Sequence, residues 1–172
     1  MAIRTILHYP DARLREKAQP VSTVSSGMTP EILTLLDDMG ETMYAAPGVG
    51  LAANQIGVSL RIFVIDVASE DEPSNMIEFI NPEILGRVGE QTWGEGCLSF
   101  PGVTEDIKRA ATVTVRALDR RGKPFELAAD GLLAVAIQHE FDHLEGVLMI
   151  DHLGVLKKRI VNRKMQRRGV SA

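Results

Sequence analysis

The apolar positions change period along the chain, and the changes mark out its elements. Ile32, Leu35, Leu36, Met39 and Met43 recur at helical spacing until Pro47 stops the run. Thr29 followed by Pro30 reads as the N-cap and first position of that helix. Upstream, Pro10-Asp11 can start a shorter helix with Leu14 as its inward anchor. Gly48 to Gln55 is too small and glycine-rich for a self-supporting element. Arg61 to Ala68 and Met76 to Asn81 are β-branched and apolar enough for buried strands, and Ile84 to Trp93 continues the sheet. Ala111 to Leu118 alternates as a strand, and Arg121-Gly122 turns it into a hairpin with Pro124 to Ala128. Asp130 is the N-cap of a helix through Leu132, Val135, Ile137 and His143, with Gly146 as its stop. The first half of this helix is apolar nearly all round, so it should run through the core. A last helix, from about Asp151 to Arg168, shows a thin apolar stripe of Leu153, Leu156 and Ile160. Helices before, between and after strands, without regular βαβ alternation, predict an α+β fold: a core helix surrounded by antiparallel sheets, with N-terminal helices and a C-terminal helix.

Composition narrows the class. At 172 residues and 45% hydrophobic, the chain is long enough for one ordinary core, so residues 1–172 are expected to form a single domain. One cysteine rules out an internal disulfide, there is no apolar run long enough to span a membrane, and Met1 to Thr5 opens without a secretory signal. A cytoplasmic setting is expected, with no membrane partner. Net charge is −4 but uneven: residues 151–172 carry seven basic side chains against one acid, Asp151. The tail is therefore near +6 and the body near −10, an asymmetry that suits either a solvated helix face neutralising an acidic body or an anionic partner such as RNA.

The chemistry is concentrated in two places. His139 and His143 stand four residues apart, on one face of a helix one turn from each other. Such a pair can hold a divalent metal, and Glu140 beside them can move protons for an activated water. Leaving so much titratable chemistry in an apolar helix without a metal would carry a desolvation penalty of several kcal/mol. His8 and His152 have no such context and read as surface residues.

The third ligand separates the kinds of metalloenzyme. His139 to Gly146 follows the start of the longer metzincin pattern, but Met149 stands where that pattern has its third histidine. A thermolysin-like site wants a glutamate well downstream, and Glu145 and Asp151 lie too close. The lone Cys97, flanked by Gly96, is the remaining good ligand. Three ligands with one position open mark a catalytic rather than a structural metal.

Three segments, Gly48-Val49-Gly50-Leu51-Ala52-Ala53-Asn54-Gln55, Glu95-Gly96-Cys97-Leu98-Ser99 and Gln138-His139-Glu140-Phe141-Asp142-His143-Leu144, resemble in order the three signature motifs of the peptide deformylases. The short spacing between the first two is similar to the compact bacterial class, as are Ile6 to Asp11 and the basic closing helix. The resemblance implies an enzyme that removes the N-formyl group from the initiator methionine of nascent chains. It implies one divalent metal per chain, natively Fe2+, held by Cys97, His139 and His143, with Zn2+, Ni2+ or Co2+ able to replace it. Glu140 would carry the proton, and the Gln55 side-chain amide and the Leu98 backbone N–H would match the family's donors to the oxyanion. It further implies that the C-terminal helix serves near the ribosomal nascent-chain exit, and no DNA partner is expected.

Helix spacing adds a substrate pocket. Leu132, Val135 and Ala136 precede His139 by seven, four and three residues and share its face. With Val49 they could form an apolar slot for an unbranched methionine side chain, while Gly50 and Gly96 leave room for an extended peptide to pair beside them. Two rival readings are a metallopeptidase cleaving ordinary peptide bonds and a non-catalytic metal-binding or ribosome-associated module. The cysteine ligand disfavours the first, and Glu140 the second.

Overall fold

The computed structural model describes residues 2–171. A five-stranded antiparallel sheet is built from β1 (Gly50–Ala52), β2 (Ile62–Ile65), β3 (Ile77–Val88), β6 (Thr112–Leu118) and β7 (Pro124–Asp130), paired in the order β1-β2-β3-β6-β7. Two strands, β4 (Gln91–Gly96) and β5 (Thr104–Arg109), form a separate ribbon. Three α-helices, α1 (Pro30–Ala45), α2 (Gly131–Leu144) and α3 (Val155–Ser171), complete the α+β fold.

Helices cover both faces of the large sheet, which explains why β2 is apolar at every position. Phe63 and Ile65 face one way and pack with Phe79, Val115, Ala134 and Ile137 under α2. Ile62 and Val64 face the other way and pack with Leu35, Leu36, Met39 and Met43 of α1. Helix α1 starts as its sequence predicts: Thr29 Oγ1 accepts from the Ile32 amide at 3.4 Å, and Pro30 occupies the first turn. Leu14 is fully buried on a short 3-10 turn, Ala12–Arg15.

Residues 48–55 are not self-supporting, as expected: β1 takes its hydrogen bonds from β2 at the sheet edge. Three expectations need correcting. The strand expected over 84–93 breaks: the chain turns at Gly89, whose φ is 70°, and β4 leaves the large sheet to pair with β5, a strand the sequence pattern did not reveal. Asp130 occupies the N-cap position of α2 without a capping bond from its side chain. Finally, the C-terminal segment divides into a 3-10 turn, Met149–His152, and α3, and its buried stripe is Leu153, Val161 and Met165. Leu156 and Ile160 are exposed, at 72% and 43%.

That last correction changes the role of α3. Val161 and Met165 share a cluster with Phe100 and Val103 of the loop after Cys97, and with Ile107 of the ribbon. Tyr9 Oη donates to Asn162 Oδ1 at 2.9 Å, and Lys157 pairs with Glu105 at 3.2 Å. The helix is thus a wall of the body as well as a carrier of charge. Met165→Ala is expected to cost about 2–5 kcal/mol, whereas Leu156→Ala should stay within about 0.5 kcal/mol. Denaturant unfolding of the two variants checks this, and equal effects would contradict the packing.

Candidate metal and active site

Helix α2 follows β7 with no linker. Gly131, with φ at 55°, makes the corner from strand to helix, a backbone conformation open to glycine. Gln138 then ties the helix to the link between β5 and β6: its Oε1 accepts from the Ala110 amide at 3.1 Å, and its Nε2 donates to the Ala110 carbonyl at 3.0 Å. From this fixed helix His139 and His143 project side by side, ring centres 5.1 Å apart. Both are buried.

Cys97 approaches from the end of β4. Its Sγ lies 3.4 Å from His143 Nε2, and one donor atom from each of Cys97, His139 and His143 falls within 4.8 Å of the others. A tetrahedral ion with nitrogen ligands at about 2.0–2.1 Å and sulfur at about 2.3 Å separates neighbouring donors by roughly 3.5 Å. The donor set fits such an ion. Burial favours the neutral imidazole at both histidines and prevails at His143, whose pKa falls well below the usual value. At His139 the Cys97 sulfur and the Glu95 carboxylate outweigh burial and raise it. A ligating imidazole is neutral, so metal binding would release that proton.

Glu140 points to the other side of the same space. Its Oε2 is buried with no hydrogen-bond partner among the described residues, and burial pushes its carboxyl up to about 7. Its Oε1 lies against Gly50, where an added Cβ would sit 2.7 Å from it. Gly50 is therefore needed for close approach. Gly50→Ala is expected to displace Glu140 and lower turnover while bound metal is retained, measured as activity per metal ion; unchanged activity would remove this role.

The structure brings the sequence-derived site residues into one cleft of about 710 Å³, except His143, which is buried beside Cys97 and does not line it. Leu132, Val135 and Ala136 line it from α2, Val49 and Gly50 from the β1 side, and Gly96 and Leu98 from the ribbon end. An added Cβ at Gly96 would meet only the Val103 carbonyl, at 3.7 Å, so that glycine leaves open space. Gln55 is buried: its Oε1 accepts from the Ala52 amide at 3.0 Å, and its Nε2 donates to Ser99 Oγ at 3.0 Å and points toward Cys97 Sγ at 3.7 Å. His8 lies on the rim of the cleft.

Sequence reasoning missed four polar residues beside the site. Glu95 Oε1 accepts from His139 Nδ1 at 2.9 Å, and Arg109 donates to both Glu95 oxygens at 2.6 and 2.9 Å. Asp142 accepts from Arg109 at 2.9 Å and from His152 at 2.8 Å, so His152 has a structural partner despite its exposure. Burial alone would raise the Glu95 and Asp142 carboxyls, yet these partners hold both below their usual values. The Glu95 and Asp142 positions lie inside the quoted motifs, but only the folded ribbon puts Arg109 between them.

A helix-borne histidine pair, an adjacent buried glutamate and a cysteine converging on an open cleft define the class of a metal-dependent hydrolase. Residues 3–159 match the family model described as polypeptide deformylase. Peptide deformylase 2 of Xanthomonas campestris pv. campestris is 54% identical over 165 residues, spanning 96% of this chain and 95% of the relative. The peptide deformylase of Xylella fastidiosa strain M12 is 53% identical over 167 residues, spanning 97% and 96%. A crystal structure of a peptide deformylase from Legionella pneumophila superposes with a TM-score of 0.90 at 49% identity, covering 98% of this chain and 96% of that one. Another from Ehrlichia chaffeensis, in complex with actinonin, gives 0.91 at 36% identity and covers 98% of both. The chain belongs to the polypeptide deformylase family, hydrolases that remove the N-formyl group from formylmethionyl nascent peptides.

Proposed function

We propose that this chain deformylates the initiator methionine at a single metal ion held by Cys97, His139 and His143. The observation that carries the reading is the convergence of those three donors beside a buried, unpartnered Glu140 oxygen. The ion is ferrous in the cell; zinc and nickel bind such a set at least as tightly by the Irving–Williams order, and cobalt is a further substitute, so purification can exchange the metal. When bound, it supplies a water acidic enough to act as nucleophile near neutral pH. Glu140, whose buried Oε2 has no partner among the described residues, would accept a proton from the attacking water and return it to the leaving amine. Gln55 Nε2 and the Leu98 N–H receive the oxyanion that develops on the formyl oxygen. Leu132, Val135, Ala136 and Val49 enclose the methionine side chain, and the peptide extends past Gly50 and Gly96. Release of formate from a formyl-methionyl peptide, with no cleavage of an unblocked peptide of the same sequence, is the expected result. Cleavage of the unblocked peptide would favour a peptidase.

The working unit is one catalytic domain over residues 1–172, acting in the cytoplasm; Met1 and Ala172 lie outside the described residues. Among the described residues no helix is long and apolar enough to cross a membrane. The outer face of α3 is the ribosome-facing surface: Arg159, Arg163 and Lys164 are exposed there beside Leu156 and Ile160. Cutting the chain at Asn162 would remove Met165 from the core, so charge reversal is the cleaner test. Arg159→Glu, Arg163→Glu and Lys164→Glu together should weaken ribosome binding and lower the slope of log affinity against log salt by about 1 per lost phosphate contact. Hydrolysis of a short formyl-methionyl peptide should be unchanged. Ribosome affinity equal to that of the parent at low salt would refute the surface.

A further inference from the structure

Behind His139 runs a continuous chain of polar contacts that the reaction as described does not use. Arg109 ends β5, Glu95 lies in β4, Asp142 is on α2 between the two histidines, and His152 ends the 3-10 turn before α3. Arg109 spends its guanidinium on both neighbours: Nε and Nη2 go to the two Glu95 oxygens, and Nη1 goes to Asp142 Oδ2. The Arg109 and Glu95 side chains are each only 4% exposed, and Asp142 is 17% exposed. The same Asp142 oxygen also accepts from His152 Nε2 at 2.8 Å.

Two features make this more than a buried ion cluster. A guanidinium gripping both oxygens fixes the rotation of the Glu95 carboxylate as well as its position. Glu95 Oε1, so held, accepts the hydrogen bond from His139 Nδ1–H, which leaves Nε2 of that ring to face the Cys97 side. His143 has no matching support, since its Nδ1 is buried without a partner among the described residues. The orientation of the donor set therefore leans on one side. In addition, Arg109 and Glu95 belong to the ribbon that presents Cys97, while Asp142 belongs to the helix that presents the histidines. The fork clips the two carriers of the donors together.

We propose that Arg109, backed from outside by Asp142 and His152, is the positioning residue of the metal site. It locks Glu95, and through Glu95 the ligating tautomer and angle of His139, and it sets the distance between the Cys97 ribbon and α2. The proposal rests on the reading of Cys97, His139 and His143 as metal ligands. Charge alone does not perform this task. A lysine at 109 keeps the positive charge but is a single point donor on a flexible stem, and it cannot span both Glu95 oxygens and Asp142 at once.

The test uses the full chain loaded with zinc, and separately with cobalt, and follows Arg109→Lys, Asp142→Asn and His152→Phe. Zinc loss to a chelator is timed, the cobalt ligand-field spectrum is recorded, and metal-free thermal stability is measured alongside. Arg109→Lys is expected to lose zinc about 10–100-fold more readily than the parent, with shifted cobalt bands. Asp142→Asn and His152→Phe, at the outer end, should show smaller changes in the same direction. If the variants release zinc within twofold of the parent and keep its cobalt spectrum, the cluster only stabilises the fold and the proposal is overturned, whatever their melting temperatures. Should Arg109→Lys fail to fold, Asp142→Asn and the exposed His152→Phe decide the matter by the same readings. A parent protein that takes up neither zinc nor cobalt in stoichiometric amount would instead refute the metal centre itself, a result distinct from parent-like variants of a metal-loaded protein.

Discussion

Glu140→Gln should lower turnover of a formyl-methionyl peptide by about 10²–10⁴-fold, the range supplied by a positioned general acid–base, with metal content and melting temperature close to those of the parent. Glutamine preserves the shape, so the close approach to Gly50 survives, but a neutral amide cannot take the proton from an attacking water. Metal should be retained because Glu140 is not among the converging donors: its Oε1 lies against Gly50, while the three donor atoms belong to Cys97, His139 and His143. Metal analysis and steady-state kinetics on one sample make the test. Loss of metal would make Glu140 a ligand, and near-normal activity would leave it no part in the chemistry.

The second large effect concerns oxidation. An iron-loaded sample exposed to air or peroxide is expected to lose nearly all activity, and a nickel-loaded sample to keep most of it. Cys97 is the chain's one cysteine, only partly buried, and lines the open cleft. Beside a redox-active ion, a thiolate passes to sulfenic acid. With no second cysteine in the chain to form a protective disulfide, it can proceed to the irreversible sulfinic acid. Nickel should not drive that sequence. Mass spectrometry of the peptide containing Cys97 should find added oxygen in the inactive iron sample alone. Equal decay of both forms with an unmodified Cys97 would defeat this account.

The elements with a clear period were legible from the sequence. Helix α1 was marked by its Thr29-Pro30 start and its spaced apolar residues, and α2 by its apolar run and paired histidines. Strand β5 escaped because Thr104 to Arg109 reads as a charged loop: its two buried positions are Ile107 and Arg109, and an arginine at an inward position conceals the alternation. The arginine is inward because Glu95 and Asp142 await it, and such a partnership exists only after β4 and β5 have paired. The C-terminal stripe was misassigned for a related reason. A mostly basic helix offers several thin apolar stripes, and the choice of Val161 and Met165 over Leu156 and Ile160 depends on where Phe100 and Val103 lie. The cleft was legible to the extent that its residues shared one helix face or one motif. The bonds that orient His139 were not, because they join four separate segments.

The packing of α3 against the loop after Cys97 has an evolutionary corollary. Phe100 and Val103 line the cleft, and their backs are filled by Val161 and Met165. A lineage that reshapes this wall to suit different chain termini cannot change the loop alone, since a larger or smaller residue there would crowd or empty the seam beneath the helix. The loop and the helix should therefore drift as a pair, although some sixty residues of sequence separate them. The inner face of the C-terminal helix would then carry a record of substrate history, while its outer face remains free to follow whatever surface the protein docks upon.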